Sequence, residues 1–292
     1  MILLDLFCNV DDFCQQFIPQ WRQQQIACGD KKRYKPSKLA DSEVMTILIW
    51  FHRSNFRNLK YFYCYLMQFY RADFPQLVSY NRFVELSQSV LIPMSAYLQS
   101  RFATPTGIAY IDSTKIAVCH AKRISRNKVF DGVAKLGKSS MGWFYGFKLH
   151  IIVNDRGELL NVKLTKGNVD DREPVPDMTL SLWGKLFGDK GYISEDLTNQ
   201  LRECGIQLIT SIKKNMKPKI MTLFDKIMLR KRSIIETIND QLKNISQIEH
   251  TRHRSVTNFT VNLIAGLIAY THQEKKPSIK MDYADKQVLM LF

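Results

Sequence analysis

The segment 144–167, FYGFKLHIIVNDRGELLNVKLTKG, constrains the fold more than any other stretch of the chain. Polar and apolar residues alternate over FYGFKLH, the run turns apolar at IIV, and alternation returns over ELLNVKLTKG. A period of two belongs to a strand whose two faces meet different surroundings. DRG supplies turn residues between the runs, so the pair predicts a β-hairpin. Ahead of it, GIAYIDST is a short run of β-formers ending in Asp112. Behind it, DREPVPDMTLSLW predicts a helix capped by Asp171 that starts late because of Pro174 and Pro176. KLFGD is a short buried strand, SEDLTNQLRECG a helix with Ser194 as cap and Gly205 as stop, and IQLIT another strand. LRKRSIIETINDQLK, Leu229 to Lys243, is the next helix. Strands alternating with helices imply an α/β sheet layered with helices.

Residues 1–103 have another texture. PSKLADSEVMTILIWFHRS places a proline and the capping candidates Asp41 and Ser42 ahead of an apolar run of helical length. NRFVELSQSVLIPMSAYLQSR continues the helical pattern, with a break near Pro93. The aromatics of YFYCYLMQFY are expected to pack helix on helix, and base stacking is the lesser alternative. FATPTG, 102–107, breaks periodicity at Pro105 and Gly107. The expected division is a helical N-terminal domain, 1–103, that binds DNA ends, an α/β domain, 104–276, and a tail, 277–292.

Lysine and arginine total 42 against 27 acids, a formal net charge of +15. That balance points to a polyanionic partner, most simply nucleic acid, with an anionic membrane surface the weaker alternative. No apolar run reaches the length of a membrane span: VMTILIWF and VNLIAGLIAY suit buried helices. The start, MILLDLFCNVDDF, carries acids where a secretory signal has basic residues, so a soluble protein of the cytoplasm is expected. Six cysteines form no C-x-x-C pair, which predicts buried, reduced thiols. Residues 113–143 hold seven Lys/Arg and one Asp. A segment so charged is expected at the surface, with Arg123, Arg126 and Lys128 touching a nucleic-acid backbone. Trp143 is expected to pack, with a wedge into DNA the lesser reading. EHTRHRS sets Arg252 and Arg254 beside two histidines. It lacks two further zinc ligands and suits a phosphate-contacting turn.

Three carboxylates stand out. Asp112 and Asp189 each close an apolar β run, which places them at the sheet edge where ligands bind in open α/β folds. Together they repel unless cations lie between them, and hard oxygens of this kind suit Mg²⁺. Helical spacing puts Arg232, Asn239, Asp240 and Lys243 within roughly 60° of Glu236, beside an apolar stripe of Ile234, Ile235, Ile238, Leu242 and Ile245. Glu236 can therefore reach the same opening. The plainer alternatives are a Glu236–Arg232 surface pair and aspartates serving only as turn residues. Asp170 and Asp171 are rival acids, and a helix cap explains Asp171 better than a metal.

At these residues the chain resembles the DDE transposases of bacterial insertion sequences. The features are YIDST, LFGDKGYIS and RKRSIIETINDQLKN, in which Arg232, Glu236 and Lys243 match an Arg-x3-Glu-x6-Lys signature. GWFYGFKLH, TKGNVDDREP and EHTRHRS look like the group called the nine-eighty-two family. Leu229 stands where related families often carry a tyrosine. The resemblance implies an RNase H-like core, a mixed five-stranded sheet flanked by helices, after the helical domain. It implies that Asp112, Asp189 and Glu236 bind two Mg²⁺ ions, with Mn²⁺ able to substitute. They would cut double-stranded DNA at terminal inverted repeats, and the new 3′-OH would attack target DNA. Arg232 and Lys243 would neutralise phosphates; Lys190 and Tyr192 either line the same rim or serve as plain turn and packing residues, the two readings standing equal. Acting on two ends implies at least a homodimer on DNA, in a bacterial nucleoid. An RNase H-like structure-specific nuclease, a non-catalytic DNA-binding protein and an inactive copy are the competing readings.

Overall fold

The computed structural model describes residues 2–54, 56–139, 142–212, 215–216, 220–249 and 253–279. The hairpin forms as alternation requires. Its strands are β3, Gly142–Asn154, and β4, Leu159–Lys166. Gly157 turns it with φ +73°, and a Cβ there would strike the Pro277 carbonyl, so only glycine fits both the backbone and the close approach. β1, Ile108–Cys119, pairs antiparallel with β3. Over Ile108–Tyr110 alone it also pairs parallel with β5, Gly184–Gly188. β6, Ile206–Thr210, extends the parallel side.

A further strand, β2, Lys135–Ser139, pairs with the start of β3. Among the described residues the sheet is thus mixed and has six strands, one more than expected, flanked by helices as in an RNase H-like core. The extra strand comes from the basic segment that charge alone assigned to the surface. β1 continues past Asp112 and buries Ile116 and Val118, and Phe130 and Ala134 are buried as well. Apolar residues spaced within the charged run enter the core, while Arg123, Arg126 and Lys128 stay exposed.

One face of the sheet is covered by α6, Val175–Met178, and α7, Glu195–Glu203, over a core that includes Ile111, Leu186, Tyr192 and Leu201. The Ser194 hydroxyl accepts from the Leu197 N–H at 3.3 Å, and Gly205, at φ +76°, follows the end of α7. On the other face Tyr110 and Phe187, partners in register, stack at 5.4 Å. The Tyr110 hydroxyl donates to the Met228 carbonyl of α8, Leu223–Arg230, at 3.3 Å. Lys185 and Asp225, 2.6 Å apart, tie α8 to β5.

Leu229–Lys243 is not one helix. α8 ends at Arg230, and α9 spans Ser233–Asn244. The charge order suits this break. Arg230 and Lys231 lie at the negative end of α8, and Glu236 lies in the first turn of α9, at its positive end. α9 buries Ile234, Ile235, Ile238 and Leu242 as the stripe predicts, whereas Ile245 falls past its end and is exposed.

The chain divides into two compact units: Phe102–Gln241 with Lys275–Phe292, which holds the sheet, and Met1–Arg101 with Leu242–Glu274. The helical unit contains α1, Leu3–Ala27, α2, Asp41–Phe51, α3, Leu59–Phe69, α4, Tyr80–Ser89, and α5, Leu91–Ser100. α10, Val256–Thr271, belongs to it too, packing on α2, α4 and α5 although it follows the sheet in sequence. Neither Asp41 nor Ser42 caps α2. Ala40 does, its N–H donating to the Glu43 carboxylate at 2.7 Å, and Asp41 pairs with Arg22. The chain breaks at Val90, and Pro93 sits in the first turn of α5, where proline is tolerated. The aromatic run divides: Phe62 and Tyr63 are buried, with Tyr63 stacked on Phe83 at 4.6 Å, while Tyr61 and Phe69 are exposed. All six cysteines are free thiols, but only Cys14 is buried; Cys8, Cys28, Cys64 and Cys204 are exposed, because they lie on outward faces or helix ends. Among the described residues no helix is long and apolar enough to cross a membrane.

Candidate active site

Strand register builds the site. Tyr110 and Phe187 are the last parallel pair of β1 and β5, and Asp112 and Asp189 each follow two residues later. Side chains two apart on a strand share a face, so Asp112 projects from the face of Tyr110, on the side of α8. Asp112 does not close its strand as expected. It lies within β1, opposite Ile151 of β3. What ends beside it is the pairing with β5. Strands parting on either side of a switch in sheet direction leave the crevice where ligands bind in open α/β sheets. Asp189 does end β5. Its Oδ1 accepts from the Gly191 N–H at 2.8 Å, and a Cβ on Gly191 would stand only 2.9 Å from that oxygen.

α9 supplies the third carboxylate. Asp112, Asp189, Glu236 and Arg232 line one cavity of about 340 Å³. Arg232 Nη2 donates to Glu236 Oε1 at 2.7 Å, so the plain i, i+4 pair does form, but at the wall of this cavity. Asn239, one turn beyond Glu236, donates from Nδ2 to Asp112 Oδ2 at 2.9 Å. Burial pushes the Asp112 carboxyl up to about 6. Arg232 and the Ser113 N–H oppose the rise, and Asp189 and Glu236 add to it.

Asp171 lines the same cavity and is not a helix cap. The two prolines shorten α6 to four residues behind Pro174, which leaves Asp171 ahead of the helix. It pairs with Lys148 at 3.0 Å. Asp170 turns away into both nitrogens of the Arg172 fork, which holds its carboxyl far below the usual range. Lys148 faces Lys115 directly across the β1–β3 pair, and both line the cavity with Lys138. Like charges set opposite one another in a sheet are unfavourable unless anions accompany them. The walls therefore carry four carboxylates and four cations.

The remaining predicted residues separate. Tyr192 is buried and lines the cavity, its hydroxyl pushed far up by burial and by Asp112, Asp171 and Asp189. Lys190 is exposed, as are Arg123, Arg126, Lys128 and Arg254. Lys243 stands 3.6 Å from Glu249. Arg252 lies outside the described residues. Trp143 does not pack: 65% of it is exposed, on the strand end opposite Lys138, whose ammonium lies 5.8 Å from the ring centre. Sequence reasoning assigned Asp171 to a cap instead of the cavity, and missed Lys115, Lys138, Lys148 and the reach of Asn239. The lysine inside the apolar run of β3 was the available signal.

Among the described residues no three His, Cys, Asp or Glu side chains gather tightly enough to hold one ion. The donor chemistry nonetheless suits Mg²⁺, which needs one or two carboxylates per ion and takes water and phosphate oxygens for the rest. A family model described as "Transposase DDE domain" matches residues 102–256, which is more than half of the chain and includes Asp112, Asp189 and Glu236. No curated protein matches the chain.

Proposed function

The chain belongs to the transposase DDE-domain family, and from that premise we propose that it is the transposase of a bacterial insertion sequence of the nine-eighty-two type. It binds the terminal inverted repeats, cuts a phosphodiester bond at each end and joins the new 3′-OH to target DNA. The observation that carries this reading is the single cavity that collects Asp112, Asp189 and Glu236 from three separate elements.

Asp112, Asp189 and Glu236 would hold the ions, with Asp112 as the carboxylate shared by both. Two Mg²⁺ or Mn²⁺ ions bound there would activate the attacking oxygen and stabilise the leaving one. The carboxylates are already matched by cations in the walls, so ions bind best together with DNA phosphates, which restore the balance. Arg232 then turns from Glu236 to a phosphate oxygen, and Lys115 and Lys148 hold the non-bridging oxygens of the scissile phosphate. Lys138, Lys190, Arg123, Arg126 and Lys128 contact the backbone farther along. Lys243 and Arg254, within the helical unit, and Arg252 do so as well, and the helical unit binds the DNA end. At least two copies act on one pair of ends.

The test is incubation of the protein with duplexes carrying candidate ends, a target plasmid and Mn²⁺. Nicks at the end nucleotide and joined products are expected. Nicks without joining would favour a structure-specific nuclease. Binding with no cleavage at any metal concentration would sink the enzymatic reading.

A further inference from the structure

Asn239 is 9% exposed and lies on the polar stripe of α9 at its border with the apolar one, next to the buried Ile235. A leucine there would extend the apolar stripe without a polar group to satisfy. Instead the amide does two things. Its Nδ2 donates to Asp112 Oδ2 at 2.9 Å. Its Oδ1 is buried and has no hydrogen-bond partner among the described residues. A buried acceptor left unpaired costs free energy, and such groups call for an explanation in ligand or water chemistry. The helix spacing adds a second point. Asn239 is three residues beyond Glu236 and seven beyond Arg232, so one stripe of α9 reaches two of the cavity's carboxylates at once.

We propose that Asn239 is a positioning residue for the metal site: it fixes the orientation of the Asp112 carboxylate and offers Oδ1 to a water of the ion's shell. This rests on the metal-binding reading above. Partners that orient a ligand from behind change metal affinity by about 10–100-fold when removed. Asn239 holds one oxygen of Asp112, which leaves the other to point at an ion in a fixed direction. The same contact couples α9 to β1, so Glu236 and Asp112 keep a set separation.

The experiment titrates Mn²⁺ into the full-length protein, in the presence of end DNA that is already cut and carries a 3′-dideoxy terminus, which can be neither cleaved again nor joined. It follows free Mn²⁺ by electron paramagnetic resonance and thermal unfolding in parallel. Asn239→Leu and Asn239→Ser are compared with the wild type, and Asp189→Asn serves as the control for binding elsewhere. Both Asn239 variants should bind Mn²⁺ about 10–100-fold more weakly while unfolding near the wild-type temperature and binding the DNA as well. If Asn239→Leu does not fold, the smaller polar Asn239→Ser carries the same expectation. Wild-type Mn²⁺ affinity in a folded Asn239 variant would overturn the positioning role and leave the metal site standing. A wild-type protein whose Mn²⁺ binding equals that of Asp189→Asn would overturn the metal site, and this inference with it.

Discussion

Two cavities, one in each unit, show what distinguishes a reacting site from a binding surface. The one in the helical unit is larger, about 560 Å³, and is lined by apolar side chains, four asparagines, Ser87, Tyr80, His253, Lys60 and Arg254, with no acid among the described lining residues. The one in the sheet unit is about 340 Å³ and holds four carboxylates against four cations. Volume alone would choose the first. Convergent charge chooses the second, because only opposed acids create a demand for divalent cations. The first offers amides, a phenol and cations, which suit contact with phosphates and bases but not phosphodiester chemistry.

The contrast is broken most severely by neutralising the acids. Asp189→Asn and Glu236→Gln should each lower end cleavage by about a thousandfold or more, since bound metal supplies several kcal/mol to the transition state. Gel-shift affinity for the same DNA should stay within about twofold. Comparable losses from Lys60→Gln would mean that the helical cavity takes part in the chemistry.

Asp112→Asn sharpens the comparison through stability. In the folded chain the Asp112 carboxyl keeps its proton up to about pH 6, against an ordinary value of 3.8. The folded state therefore binds that proton more tightly than the unfolded state. Its stability falls as pH rises between those values and stays lower above pH 6. Removing the charge should raise stability at pH 7.5 by on the order of 2 kcal/mol and leave it almost unchanged near pH 3.5. Urea unfolding at both pH values checks this. Lower stability at pH 7.5 would show that Asp112 is not held at a cost for function.

The smallest effects belong to the residues assigned to DNA binding. Trp143 is exposed rather than packed, so if its ring stacks on a base, Trp143→Ala should weaken binding of end DNA about tenfold. Lys60→Gln with Arg254→Gln should reduce the slope of log affinity against log salt by about 0.9 for each phosphate that the variant no longer neutralises. Cleavage rates at saturating DNA should hold in all of these variants. Fluorescence anisotropy over a salt series reads the binding terms.

Much of the sheet was legible because alternation and turn residues are local signals. The hairpin, β5, β6 and the Ser194 cap follow from short stretches alone. Asp189 was legible for the same reason, as the residue that ends a short apolar run. Asp112 stood out as an acid, but its place within β1 did not, because the strand's continuation lies in a segment dominated by lysine and arginine. Asp171 was misplaced because two prolines delay α6, and its partner Lys148 arrives through strand register, which no local pattern reveals. The break between α8 and α9 was written in the charge order, three cations followed by Glu236, yet the helical spacing on either side masked it. Asn239 was placed on the right stripe by spacing, while its bond to Asp112 spans 127 positions of sequence.

The most direct test is anomalous diffraction from crystals of the protein bound to uncleaved end DNA and grown with Mn²⁺. Two anomalous peaks are expected about 3.5–4 Å apart, touching carboxylate oxygens of Asp112, Asp189 and Glu236. A cavity without manganese, in a complex whose DNA is cleaved once the crystals are dissolved in Mn²⁺, would contradict the assignment of these three residues as the metal-binding centre.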